Sequence, residues 1–99
     1  MLAGQEGFQD TLGDQFHARL PLDGSQVKAV VPVDLLGKVA DQTRIAAIAA
    51  EHGAVVLSDA AESLGARRDG IQSAAFGKAA ALSFNGNKIM TTSGGGALL

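Results

Sequence analysis

Residues 28–58 constrain the fold more than any other part of this 99-residue chain. They read KAVVPV, DLLGKVA, DQTRIAAIAAEHG and AVVLS in succession. The first and last of these are short apolar runs rich in β-branched residues, the pattern of buried strands. Between them, residues 41–53 predict a helix. Asp41 is the N-cap, Ile45, Ile48 and Ala49 share one face, and Gly53 falls where a left-handed C-cap residue is expected. Strand, helix and strand of these lengths form a βαβ unit, and the crossover makes the two strands parallel. Strands this apolar predict a mainly parallel sheet covered on both faces by flanking helices. Pro32, near the end of the first run, removes one ladder donor.

The rest of the chain adds to this unit. Residues 60–70 begin small and apolar, turn polar and end on the turn signal Asp69-Gly70. Phe76-Gly77 is a short connection to a third strand, residues 79–84. SFNGNK and TTSGGG are loops, and the closing ALL opens a fourth extended segment, which reads as a strand cut at its start. Residues 1–26, with Gly4, Gly7, Gly13 and Gly24, are weakly patterned and carry at most a helix near residues 7–20. The division expected is therefore a poorly assigned segment 1–26 and an α/β unit 27–99.

Composition removes several function classes. Eight basic and ten acidic residues give a net charge of -2, with no basic run, which argues against nucleic-acid or anionic-membrane partners. There is no cysteine, so disulfides and thiolate metal sites are excluded. Glu51 and His52 lack metal-ligand spacing, and no other cluster supplies it; His17 and His52 read as structural or solvated. The apolar runs fall short of a membrane span of ~20 residues and no signal-peptide pattern opens the chain, so the cytoplasm is the expected location.

Chemistry is expected at the carboxyl ends of the strands, where open parallel sheets bind ligands. Three polar residues fall there: Asp59 after AVVLS, then Ser83 and Lys88 after AAAL. A carboxylate at a strand end can hold a positively charged ring nitrogen. A serine with exposed loop amides can accept a phosphate. A lysine shielded from water supplies an amine that attacks carbonyl carbon. Pyridoxal phosphate uses all three. Each residue also has a plainer reading. Lys88 suits a solvated Gly/Asn loop, Asp59 a helix N-cap, Ser83 a strand-end hydroxyl, and Gly94, Gly95 and Gly96 a tight turn.

KAVVPVDLLGKVAD, VVLSDAAESLGA, the FG pair and LSFNGNKIMTTSGGGALL, in this order over residues 28–99, resemble the DegT/DnrJ/EryC1/StrS family of sugar aminotransferases. The SFNGNK and TTSGGG wording is closest to the branch that includes EpsN-like and bacillosamine-type enzymes. The resemblance implies part of the large domain of a fold-type I, aspartate-aminotransferase-like enzyme with pyridoxal 5'-phosphate as cofactor. By position, Lys88 would bind the cofactor covalently and then serve as the proton-transfer base. Asp59 would pair with the ring nitrogen, Ala61 would lie against the ring and Ser83 would bind the phosphate. Glu62 and Asn87 would contact cofactor or substrate. The implied reaction aminates a nucleotide-linked keto-deoxy sugar for surface glycans, with L-glutamate as donor, in a homodimer.

The chain departs from the family pattern in several places. Residues 1–26 do not resemble the segment that usually precedes KAVVPV, and neither the upstream Gly/Thr-rich phosphate turn nor the smaller C-terminal domain is present. Arg68 stands where an aromatic residue is common, and Lys78 where an acid is usual. The isolated chain is therefore expected to be inactive or feeble. Two other readings compete with this one. One is a non-catalytic truncated product forming a partial α/β module. The other is a small phosphate- or nucleotide-binding module, which no GxGxxG or Walker pattern supports.

Overall fold

The computed structural model describes residues 23–99; the helix expected at 7–20 and His17 lie outside the described residues. In chain order the strands are β1 (Ala29–Val30), β2 (Val55–Asp59), β3 (Arg67–Arg68), β4 (Ile71–Gln72), β5 (Ala79–Ser83) and β6 (Gly96–Leu98). One α-helix, α1 (Gln42–Glu51), lies between β1 and β2. The main sheet has the order β1-β2-β5-β6, with β1, β2 and β5 parallel, while β3 and β4 form a separate hairpin. The sheet is thus mainly parallel, as expected. The last strand differs, because β6 returns antiparallel along β5. The loop between them carries the chain straight back, so no crossover helix is needed.

Local chemistry accounts for each boundary. The Asp41 carboxylate accepts the Arg44 amide at 3.4 Å and starts α1. At the other end Gly53 adopts φ +66, the Gly53 amide donates to Ala50 O at 3.2 Å and Ala54 N donates to Ala49 O at 2.8 Å. These two bonds are the paired closures of a Schellman motif. In β1 the ladder is broken at Pro32, which has no N–H, but Pro32 O still accepts Asp59 N at 2.9 Å and a bridge re-forms at Val33. The β3–β4 turn places Asp69 and Gly70 at φ 51 and 78. Two successive left-handed residues make the primed turn that matches strand twist.

Burial corrects one expectation. Among the described residues the strands are covered on one face, where cover on both was expected. Ala49 of α1, Val39, Val56, Ala60, Phe76 and Ala80 are the buried apolar core, and α1 packs on β2. The opposite face leaves Val31 56%, Val33 50% and Leu98 78% exposed. Side chains alternate along a strand, and among the described residues the single helix supplies only one covering layer.

The core also contains a polar knot that the sequence pattern did not disclose. Asp34, Gln42, Ser58, Ser63 and Ser73 are all buried. Asp34 Oδ1 accepts from Ala40 N at 2.8 Å and from Gln42 Nε2 at 3.2 Å, while Oδ2 accepts the Ser63 hydroxyl at 3.0 Å. Gln42 Nε2 also donates to Ser58 Oγ at 3.0 Å, and Ser73 Oγ donates to Ser63 O at 2.7 Å. A buried donor that loses its acceptor costs ~1–3 kcal/mol. Asp34→Ala strands three donors at once and is expected to lower stability by about 3 kcal/mol or more, against about 1 kcal/mol for Ser73→Ala, which removes one bond. Urea unfolding followed by circular dichroism checks this, and equal midpoints for the two variants would refute it.

Candidate functional site

The carboxyl ends of β2 and β5 lie side by side, and the residues singled out from the sequence are distributed over the two connections that leave them. β2 and β5 pair in register, Asp59 opposite Ala81. Paired residues of neighbouring strands point to the same face, so Asp59, Ala81 and, two residues on, Ser83 share one face. Ser58, the residue before Asp59, points the other way, onto α1, where Gln42 holds it. The switch between the knot and the open face therefore takes one residue.

Asp59 is fixed by its own backbone. Its amide donates to Pro32 O at 2.9 Å and its carbonyl accepts Asp34 N at 3.0 Å. Its Oδ1 accepts the Ala61 amide at 3.1 Å, so the carboxylate shapes a turn. No helix follows, and the N-cap reading of Asp59 fails for that reason. Ala60 N donates to Ala81 O at 2.9 Å, Ser63 N donates to Ala60 O at 3.2 Å, and the Ser63 hydroxyl is held by Asp34. Ala61 and Glu62 are thereby suspended between two anchored residues. A hollow of about 290 Å³ lies over this face, lined by Val31, Leu57, Ser58, Asp59, Ala79, Ala81 and Leu98. Its floor is apolar and its one carboxylate is Asp59.

The loop after β5 is closed on itself. Phe84 N donates to Gly95 O at 2.9 Å, while Phe84 O accepts Thr92 N at 3.1 Å and Thr91 Oγ1 at 2.9 Å. Thr91 Oγ1 also accepts Ser93 N at 2.9 Å. Gly96 is required at the return: a Cβ there would meet Leu82 O at 2.5 Å, too close for any side chain. Inside the loop Ser83 Oγ accepts Asn85 N at 3.4 Å, and Lys88 N donates to Asn85 O at 3.0 Å. Asn87 is exposed, and its Oδ1 accepts from the Asn85 side chain at 3.1 Å.

Lys88 is not a solvated loop lysine. Its side chain is 17% exposed, and Nζ lies 3.7 Å from Glu62 Oε1. The other Glu62 oxygen accepts the Leu36 amide at 2.7 Å. Lys88 pairs with Glu62 and not with Asp59, whose Oδ2 has no hydrogen-bond partner among the described residues. The sequence placed Asp59, Ser83 and Lys88 at strand ends, and the family resemblance added Ala61 and Glu62; the contact between Glu62 and Lys88, the Leu36 amide and the Asp34 knot were outside that reading. Asp34 carried the one available signal, being a carboxylate directly after a strand, like Asp59. Among the described residues no cluster of His, Asp or Glu is set to hold a metal, and no helix is long and apolar enough to cross a membrane.

The connections leaving the carboxyl ends of the parallel strands β2 and β5 thus carry Asp59, Glu62 and Lys88, with Lys88 paired to Glu62. The family model for the DegT/DnrJ/EryC1/StrS aminotransferases matches residues 23–99, and the chain belongs to that family of pyridoxal-phosphate enzymes. It is 48% identical over 77 residues to the putative pyridoxal phosphate-dependent aminotransferase EpsN of Bacillus subtilis, covering 78% of this chain and 20% of that protein. It is 44% identical over 71 residues to GDP-perosamine synthase of Caulobacter vibrioides, covering 72% and 19%. The crystal structure of a family aminotransferase from Brucella abortus superposes with a TM-score of 0.73 at 40% identity, over 78% of this chain and 21% of that one. An aminotransferase from Psychrobacter cryohalolentis gives 0.68 at 38% identity, over 72% and 18%. The chain thus spans about a fifth of the length of these relatives.

Thr91 makes two of the bonds that close the lysine loop. Thr91→Val removes both while keeping the shape. Each such bond is worth about 1 kcal/mol, so amide hydrogen exchange at Lys88 and Thr92 is expected to rise about fivefold or more. Unchanged exchange at both amides would show that Thr91 does not hold the loop.

Proposed function

We propose that this chain is the part of a pyridoxal-phosphate-dependent sugar-nucleotide aminotransferase that carries the reactive amine and the ring partner. The observation that carries this reading is the placement of Lys88 and Asp59 at the ends of adjacent parallel strands, in a chain of this family. Pyridoxal phosphate, when bound, supplies an electron-withdrawing ring that stabilises negative charge developing at the substrate carbon. The residues present fit that group. In kind they supply what it needs, a carboxylate for the ring nitrogen (Asp59), a hydroxyl for the phosphate (Ser83) and an amine for the carbonyl carbon (Lys88), on the connections that leave β2 and β5.

In this reading Asp59, whose Oδ1 accepts the Ala61 amide, would be the carboxylate that pairs with the ring nitrogen and favours its protonated form. Its backbone anchors prevent it from following the ring away from the sheet. Ala61 presents a small surface to the ring, and the Ser83 hydroxyl donates to the phosphate while its oxygen accepts the Asn85 amide. Lys88 would hold the cofactor through its amine, and the same nitrogen would serve as the base that moves a proton at the substrate carbon. Its low exposure keeps competing water away from that amine. Glu62 and Asn87 are the candidates for contacts to cofactor or substrate. The substrate class is a nucleotide-linked keto-deoxy sugar, supported by the named products of the relatives. L-glutamate is the donor, a homodimer the working assembly and the cytoplasm the compartment. With about a fifth of its relatives' length, the chain by itself holds only part of such a pocket, and we expect it to transaminate feebly or not at all.

Borohydride reduction of the chain mixed with pyridoxal phosphate, followed by peptide mass analysis, tests the reading. Lys88 is expected to be labelled in preference to Lys28, Lys38 and Lys78. Lys88→Ala should abolish the selective label and Asp59→Ala weaken it several-fold. Equal labelling of all four lysines would sink the proposal and leave a non-catalytic α/β module.

A further inference from the structure

We propose that Glu62 is a positioning residue that holds the Lys88 amine at the carboxyl end of the sheet, and that the Leu36 amide is the anchor that aims it. This rests on the reading of Lys88 as the amine that captures the cofactor. The carboxylate is used at both ends: Oε2 accepts Leu36 N at 2.7 Å, and Oε1 lies 3.7 Å from Lys88 Nζ. A bond between a carboxylate and a backbone amide is charge-assisted and directional. With one oxygen fixed, the other has little freedom, and the flexible lysine stem acquires a defined end point.

The turn that offers the amide is built at a cost that burial does not repay. Leu36 has φ 55 and ψ 29, left-handed backbone that a leucine adopts unfavourably. Its side chain is 87% exposed, so no packing compensates. Gly37 follows at φ +80, where a Cβ would stand 3.4 Å from Glu62 O. The turn at Leu35–Gly37 is therefore laid against the backbone of Glu62 itself, and what its geometry gains is the bond to the carboxylate. Its base is Asp34, locked in the knot. Glu62 also precedes Ser63, whose hydroxyl is held by the same Asp34. Both ends of the device are tied to one buried residue, so Glu62 cannot drift independently of the turn that orients it. The first link of the chain of contacts is buried and the last is the amine.

Two variants separate the parts. Glu62→Gln keeps an acceptor for Leu36 N but removes the charge facing Lys88; Glu62→Ala removes both. In the unaltered chain the Lys88 13Cε order parameter is expected to exceed those of the exposed Lys28, Lys38 and Lys78. In Glu62→Gln it should fall toward theirs, while Leu36 amide exchange stays slow, which shows that the turn is intact. In Glu62→Ala both change. Compared above about pH 10.5, where free lysine amines are largely neutral and the effect of position is not masked by the carboxylate's hold on the ammonium form, the preference of pyridoxal phosphate and borohydride for Lys88 over the other three lysines is expected to fall several-fold in Glu62→Gln. A preference for Lys88 that Glu62→Gln and Glu62→Ala leave unchanged would overturn the positioning role alone. An ordered Lys88 with no labelling preference in the unaltered chain would overturn the cofactor reading and the positioning role with it.

Discussion

The structure depends on a buried carboxylate. Asp34 has no exposure to solvent, and its two oxygens accept a backbone amide and a side-chain amide from residues 40–42 and a hydroxyl from Ser63. Removing a carboxylate from water is costly, and that cost is offset only when its lone pairs are well occupied. Once occupied, the group becomes a junction that no apolar residue could replace, because apolar contacts have no direction. The end of β1, the start of α1, the middle of β2 and the turn after Asp59 all meet there. The loop carbonyl Ser63 O, held by the Ser73 hydroxyl, extends the junction to the segment before β5.

That junction explains why the candidate site can sit on loops and still be defined. Each functional side chain is one or a few residues from an anchored position. Asp59 follows Ser58 of the knot, and Ala61 and Glu62 precede Ser63 of the knot. Lys88 lies in a loop closed by Phe84 and the two threonines, and its amine is reached from the knot through Glu62. The alternation of a strand then divides the labour. One face of β2 carries the polar junction and the core, and the other presents Asp59 and Leu57 to the hollow.

How much of this could be read in the sequence follows from the range of each interaction. The Asp41 cap, the Gly53 closure and the Asp69-Gly70 turn are satisfied within a few residues, so the local sequence determines them and they were legible. The parallel pairing of β1 and β2 was legible because a helix of that length leaves one short route back. The carboxylate at the end of an apolar run marks a strand end, which located Asp59. The knot was not legible, since it joins residues 34, 42, 58, 63 and 73, and nothing near Ser58 announces a partner sixteen positions earlier. The two-residue strands β3 and β4 were hidden for the opposite reason: they have no apolar periodicity, and the turn alone holds them. The hydrophobic residues of β1 and β2 predicted burial on both sides, but apolar sequence records only which surfaces prefer cover.

The small core gives the polar junction its weight. Among the described residues the buried core is small, with Ala49, Ala60 and Ala80 beside Val39, Val56 and a single aromatic ring, Phe76. Alanine offers little apolar area, so each contributes less than a buried leucine or isoleucine would. What alanine permits is close approach, and Ala49 of the helix and Ala80 of β5 are both buried. Gly77 permits the same at the start of β5, with φ +77 and a Cβ position that would fall 2.7 Å from Val56 O. A fold assembled from near-touching backbones gains directional hydrogen bonds more readily than hydrophobic area, and its tolerance for misplacement is correspondingly low. Low tolerance is what a site of separate loop residues requires. The same chemistry that leaves the core thin therefore holds Asp59 and Lys88 to fixed positions at the edge of the sheet.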